Sequence, residues 1–111
     1  MLDTRTLGFG RVDAGTSFPL NAVTSRLPLF ASGMIVNLTA TNAHAPGFVT
    51  ASTGRVPFSA DAPPSYSDCN FRPSENVANL TDLKISQAYL NVTSAYASAT
   101  TDLVLDLQAL Y

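Results

Sequence analysis

The stretch Met34-Ile-Val-Asn-Leu-Thr-Ala-Thr41 constrains the fold more than any other part of the chain. Met34, Val36, Leu38 and Ala40 fall on one side of an extended backbone, and Asn37, Thr39 and Thr41 on the other. Ile35 is the one apolar residue on the polar side. Side chains alternate along a strand, so this period of two predicts a strand with one buried and one wet face. The pattern stops at Asn42, which opens the turn-rich run Asn42-Ala-His-Ala-Pro-Gly47. Pro46-Gly47 breaks regular structure, and Phe48-Val-Thr-Ala51 is expected to follow as a return strand.

Further strand signals recur at short intervals. Gln87 to Thr93 alternates, with Ala88, Leu90 and Val92 on one face. Val77 to Ile85 is extended in character but slips phase: Leu83 and Ile85 point one way, Ala78 and Leu80 the other, which predicts a bulge between Leu80 and Leu83. Asp102 to Tyr111 fits a strand through Leu103, Leu105, Leu107, Ala109 and Tyr111. It also fits a helical stripe through Leu103, Leu107 and Leu110. Between these runs, residues 53–75 form a Pro-rich excursion. Pro57, Pro63, Pro64 and Pro73 each remove a backbone donor and fix φ, and Cys69-Asn-Phe71 is a short edge-strand candidate within it. So long a loop in a small domain is expected to be functional or to cover a sheet edge. With 111 residues and 46% hydrophobic residues, one core is expected over residues 1–111. About six short strands punctuated by turns predict an all-β, mostly antiparallel single domain, a β-sandwich or jelly roll, with both chain ends paired into the sheets.

The same residues, taken in order, carry a resemblance. Leu2-Asp-Thr-Arg-Thr6 is followed by Met34-Ile-Val-Asn-Leu-Thr-Ala-Thr-Asn42 and Ala45-Pro-Gly-Phe-Val-Thr50. Asn70-Phe71, Asn76-Val-Ala-Asn-Leu80 and Asp102 to Tyr111 come next. The series resembles a repeat module of large secreted and cell-wall-associated actinobacterial surface proteins. That module opens on Leu-Asp-Thr-Arg, continues through Leu-Asn-Val-Thr-Ala-Thr-Asn, Ala-Pro-Gly-Phe and Val-Ala-Asn-Leu, and ends near Asp-Val-Gln-Gly-Tyr-Phe. Two positions depart from it: Pro73-Ser-Glu75 stands for Pro-Gly-Gln, and Ala109 stands for the terminal glycine. The resemblance implies a β-sandwich displayed outside the cell, with no catalytic residues, and favours a strand at the C-terminus.

Composition excludes several functions. The six basic residues are scattered and the net charge is −2, so the clustered cations that nucleic-acid binding needs are missing. No run approaches a membrane span, and no basic-then-apolar N-terminal segment marks a signal peptide in this chain. Charged residues make up only 13%, with Ser and Thr about a fifth, a balance that suits an extracellular or virion surface. Cys69 is the only cysteine, expected to be buried and reduced. His44 is the only histidine, in a turn without partners at ligand spacing, so neither a metal, another cofactor nor a Ser-His-Asp triad is expected. The acids Asp61, Asp68, Glu75, Asp82, Asp102 and Asp106 show no spacing that pairs two of them across a cleft, and no enzyme is expected. Asn37, Asn79 and Asn91 open glycosylation sequons but lie within expected strands.

Two groups of residues remain as candidates. Asp3 and Arg5 open the resemblance, and Arg5 is expected to reach Asp102 or Asp106 and clamp the chain ends together. Among the aromatics Tyr66, Phe71, Tyr89, Tyr96 and Tyr111, the excursion places Tyr66 and Phe71 beside Arg72, a composition suited to a protein interface or a sugar face. The sequence therefore points to a non-catalytic structural surface module that packs on a larger assembly. That assembly would be a virion, as a decoration or fibre component, or a cell wall, with other proteins or copies of itself as partners. The alternative is a carbohydrate-binding module of the cell envelope.

Overall fold

The computed structural model describes residues 2–5, 11–20, 33–54, 58–84 and 92–111. They contain eight strands and no helix: β1 (Leu2–Asp3), β2 (Thr16–Pro19), β3 (Gly33–Thr41), β4 (Gly47–Gly54), β5 (Cys69–Phe71), β6 (Val77–Lys84), β7 (Val92–Ala97) and β8 (Asp102–Leu110). Two antiparallel four-stranded sheets form, in the order β1-β8-β3-β6 and β2-β7-β4-β5. That pair of orders is the eight-stranded jelly roll. The chain changes sheets at every connection except β4 to β5. Both chain ends lie in the first sheet, where Leu2 pairs with Leu105 and Asp3 with Val104.

The alternation of Met34–Thr41 becomes the central strand of the first sheet. Met34, Val36, Leu38 and Ala40 are fully buried, while Ile35, Asn37 and Thr39 face outward and are half-buried. Phe48–Ala51 does lie in a strand, but β4 does not return beside β3. The Asn42–Pro46 turn, with Asn42 at φ 57, carries the chain across to the second sheet. Asn tolerates this left-handed conformation better than most residues.

The expected bulge between Leu80 and Leu83 is absent. Gly33 to Ala40 pairs with Lys84 to Val77 without a break, so β6 keeps one phase and Leu80 faces outward. The bulge lies instead in β8, where Ile35 pairs with Ala109 but Val36 with Leu107, leaving Gln108 as the extra residue. That extra residue resolves the C-terminal ambiguity. Leu107 and Leu110 both take the phase of Leu103 and Leu105, so a strand produces the stripe that looked helical. Beyond the bulge, Tyr111 lies over Gly33, where its ring leaves no room for a Cβ, and its hydroxyl donates to Asp82.

The core between the sheets is asymmetric. The first sheet contributes Met34, Val36, Leu38, Leu83, Leu103 and Leu105. The second contributes mainly small side chains, Ala51, Ala95, Ala97, Val49 and Cys69, with Phe71 near one edge. Large side chains set against small ones are one way to fill such a layer without voids. Cys69 is buried, and its thiol donates to the Val77 carbonyl (3.3 Å). The expected strand at 87–93 lies outside the described residues up to Asn91, and only Val92 and Thr93 belong to β7.

Candidate functional site

The Pro-rich excursion is the β4–β5 connection, the one link that stays within a sheet. It must leave the sheet and come back, and it does so across the sheet's outer face. The Ser17 hydroxyl donates to the Phe58 carbonyl (2.6 Å), and the Thr50 hydroxyl to the Tyr66 carbonyl (2.5 Å). The Ala51 N–H donates to the Asp68 carboxylate (2.8 Å). These bonds tie residues 58–68 to β2 and β4 as a strap. An apolar layer lies beneath it: Tyr96, on the outward phase of β7, is only 4% exposed. Its ring lies 5.9 Å from Phe48 and 6.5 Å from Phe58, and Phe58 meets Tyr66 edge-on at 6.3 Å. Such tilted and edge-to-face arrangements suit aromatic quadrupoles. The excursion therefore covers a sheet face; of the two roles expected for it, a functional loop or a cover for a sheet edge, the second is replaced by this one.

Within the strap the three interface candidates separate. Tyr66 is 51% exposed and, with Phe48, Pro64, Ser65 and Ser67, lines an open cleft of about 210 Å³. Phe71 is a correction: it points into the core at 3% exposure and cannot meet a partner. Inward phase explains this, because Phe71 pairs with Gly47 and Cys69 with Val49, both on the core side of β4. Arg72 is exposed in the 72–75 turn, at the far end of β5 from Tyr66. Sequence reasoning missed Phe48, Phe58, Pro64 and Tyr96 as a layer. The signal was there in the alternation, since Phe48 and Tyr96 break the polar phase of their strands.

The second candidate constellation gathers at the start of β8. Asp102 is buried. It accepts hydrogen bonds from the Thr4 hydroxyl (2.9 Å) and from Asn42 Nδ2 (3.2 Å), and Arg11 Nε stands 3.6 Å from its Oδ2. Arg11 also contacts the His44 ring. Thr4 in turn accepts from the Leu103 N–H (2.9 Å). Asp102 thus does tie the N-terminal segment to the last strand, through Thr4 and with Arg11 as its guanidinium. Arg5 and Asp106 are exposed, and both take part in interactions. Asp3 sits opposite Val104 in the β1–β8 ladder. A carboxylate so fully engaged by donors is suited to holding chain segments in place.

Among the described residues, no three His, Cys, Asp or Glu side chains stand together as a metal site. Asn79 uses its amide to donate to the Asp68 carbonyl (2.6 Å), tying β6 to the strap. The sequon at Asn91 lies outside the described residues.

The outer face of the first sheet is the third feature. Its rows, set by the register, are Ala78–Thr39–Val104, Leu80–Asn37–Asp106 and Asp82–Ile35–Ala109. Leu80, at 64% exposure, is its most prominent side chain. No helix among the described residues is long and apolar enough to cross a membrane. No protein-family model, curated protein or solved structure matches the chain.

Proposed function

We propose that the chain is a non-catalytic structural module that packs through the outer face of its first sheet on protein partners in a larger assembly. The partners are copies of itself or a scaffold, at a virion or cell-wall surface. One observation carries this reading. The second sheet's outer face is covered by the chain's own strap, whereas the first presents Leu80 at 64% exposure amid Ala78, Ile35, Val104 and Ala109. A sheet face that exposes apolar side chains beside polar ones, with Asp82 and Asp106 as the acids of these rows, is a surface that protein partners can cover. The hydroxyl-rich composition and the resemblance to surface modules support the external location. A photo-crosslinking amino acid at position 80, compared with one at position 66, tests it in cells that produce the chain. Protein adducts of discrete mass from position 80 are expected. Adducts only from position 66 would move the interface to the strap, and none from either would defeat the reading.

A second reading has its own support in the cleft beside Tyr66. A half-exposed ring held by a pinned backbone, with the hydroxyls of Ser65 and Ser67 alongside, suits the apolar face and hydroxyl rim of a sugar. At about 210 Å³ the cleft is smaller than ordinary ligand pockets of roughly 300–1,000 Å³, so one ring is the most it would enclose. Titration with cell-envelope oligosaccharides, comparing the chain with Tyr66→Ala, separates this reading from the first.

A further inference from the structure

The four edge strands of the two sheets are unequal. β1 has 2 residues, β2 has 4 and ends in Pro19, and β5 has 3, whereas β6 has 8. Short edges, prolines and charged side chains are the usual ways of blunting an unpaired strand. β6 is long and free of proline, and its charges, Asp82 and Lys84, stand towards one end. It pairs with β3 along its whole length, and among the described residues no strand pairs with its other side. The strap meets it through the side chain of Asn79, with no backbone ladder. Leu80 stands at its middle, exposed. One further feature marks the strand: the Thr81 hydroxyl is buried and has no hydrogen-bond partner among the described residues. Buried polar atoms are rarely left so.

We propose that β6 is where a second copy of this chain pairs, edge to edge and antiparallel, about a two-fold axis at Leu80. The inference rests on the reading of the first sheet as the packing side and names the partner. The β6 sequence itself selects the partner and the register. Even-numbered residues face outward and odd-numbered residues inward, so an antiparallel self-pairing must keep the two faces matched. An axis at Leu80 sets Leu80 against Leu80, Val77 against Leu83, and Ala78 against Asp82, keeping the two Asp82 carboxylates apart. It also sets Asn79 against Thr81. The Asn79 amide nitrogen is already used on Asp68, so its carbonyl oxygen is the group left to accept from the Thr81 hydroxyl of the other copy. An axis at Thr81 would instead oppose Leu80 to Asp82. The result is one continuous eight-stranded sheet across two copies, with the two outer faces joined side by side.

Cysteine pairing reads this register directly, since the native Cys69 is buried. Directly opposite residues bring their Cβ atoms within about 4.5–5.5 Å, close to the span of a disulfide. Leu80→Cys is expected to form a covalent dimer under mild oxidation. Asp82→Cys alone is expected to form little, but to form a mixed dimer with Ala78→Cys. In sedimentation of the unmodified chain, association should rise with concentration. Ala78→Lys, which places a cation opposite Asp82, should tighten it several-fold, and Leu80→Asp should abolish it. A chain that stays monomeric at every concentration, or that crosslinks equally well through 80 and 82 alone, overturns the proposal. If the monomer nonetheless yields heterologous adducts from a photo-crosslinker at position 80, the assembly role stands and only the self-pairing fails. Thr81→Val serves as a control on the orphan hydroxyl. It should leave the monomer folded and weaken association, whereas unchanged association removes Asn79–Thr81 from the interface.

Discussion

The outer faces of the two sheets start from similar strands and end in different surroundings. Outside the second sheet, Thr50 and Tyr96 are as buried as core residues because residues 58–68 are laid over them. Outside the first sheet, Ile35, Asn37 and Thr39 are half-buried, and Leu80 stands out. The inner faces run the opposite way: the first sheet brings leucines, methionine and valine to the core, and the second brings Ala51, Ala95, Ala97, Val49 and Cys69, with Phe71 and part-buried Phe18 towards its edges. A sheet whose inward side chains are small removes little apolar area from water on that side. The aromatic layer of Phe48, Phe58 and Tyr96 under the strap adds burial on the other. The first sheet is anchored well enough inward to leave its outer face free. Topology permits the difference, because only the β4–β5 link stays in its sheet and can double back over it.

The widest gap between the faces should appear on truncating one side chain from each. Tyr96→Ala is expected to cost about 3–5 kcal/mol in denaturant unfolding, the range for emptying a buried aromatic site. Leu80→Ala, measured where the chain is monomeric, should cost less than about 1 kcal/mol, as exposed positions do. Equal costs would mean that the strap does not seal the second sheet.

Removing the strap's anchor should have an intermediate effect. Asp68→Ala leaves the Ala51 N–H without its acceptor and frees the end of the strap, at about 1–3 kcal/mol. Limited proteolysis should then cut near Tyr66 well before the rest of the domain. An Asp68→Ala variant as resistant as the unaltered chain would show that the aromatic layer holds the strap alone.

The smallest effect concerns the second sheet's inner face at Cys69. Burial pushes its thiol above the ordinary value of 9.0, outweighing a hydrogen bond with the Ala40 backbone that acts in the other direction. The unfolded chain therefore loses this proton at lower pH than the folded one. Between the two values the folded state binds more protons, so stability falls as pH rises from about 9, by at most about 1.4 kcal/mol per pH unit. Cys69→Ala should show a shallower decline above pH 9 than the unaltered chain. Parallel curves would place the thiol in a wetter site than the core.

How far these features could be read in advance depended on how many faces of a strand are buried. β3 has one dry and one half-wet face, and its alternation was plain. β7 was missed past Thr93 because its outward residues Ser94 and Tyr96 are buried along with Ala95 and Ala97, so the alternation there marks no contrast of wet and dry faces. β2 was missed because Thr16–Pro19 is short and ends in proline. The edge strand Cys69–Phe71 was visible between its prolines, yet which way Phe71 points depends on its partner Gly47, a pairing that local pattern does not encode. The same limit applies to Asp102. Its role in joining the chain ends was foreseeable from its place on the last strand, whereas Thr4, Asn42 and Arg11 reach it only through the fold.

Hydroxyl-radical footprinting of the dilute chain, read by mass spectrometry residue by residue, tests the difference between the two faces most directly. Tyrosine is intrinsically the more reactive side chain, yet Tyr96 is 4% exposed and Leu80 64%. The account predicts oxidation of Leu80 with Tyr96 protected at dilution, and growing protection of Leu80 as concentration rises. Rapid oxidation of Tyr96 while Leu80 stays intact at every concentration would contradict it, because the second sheet's outer face would then be open and the first one covered.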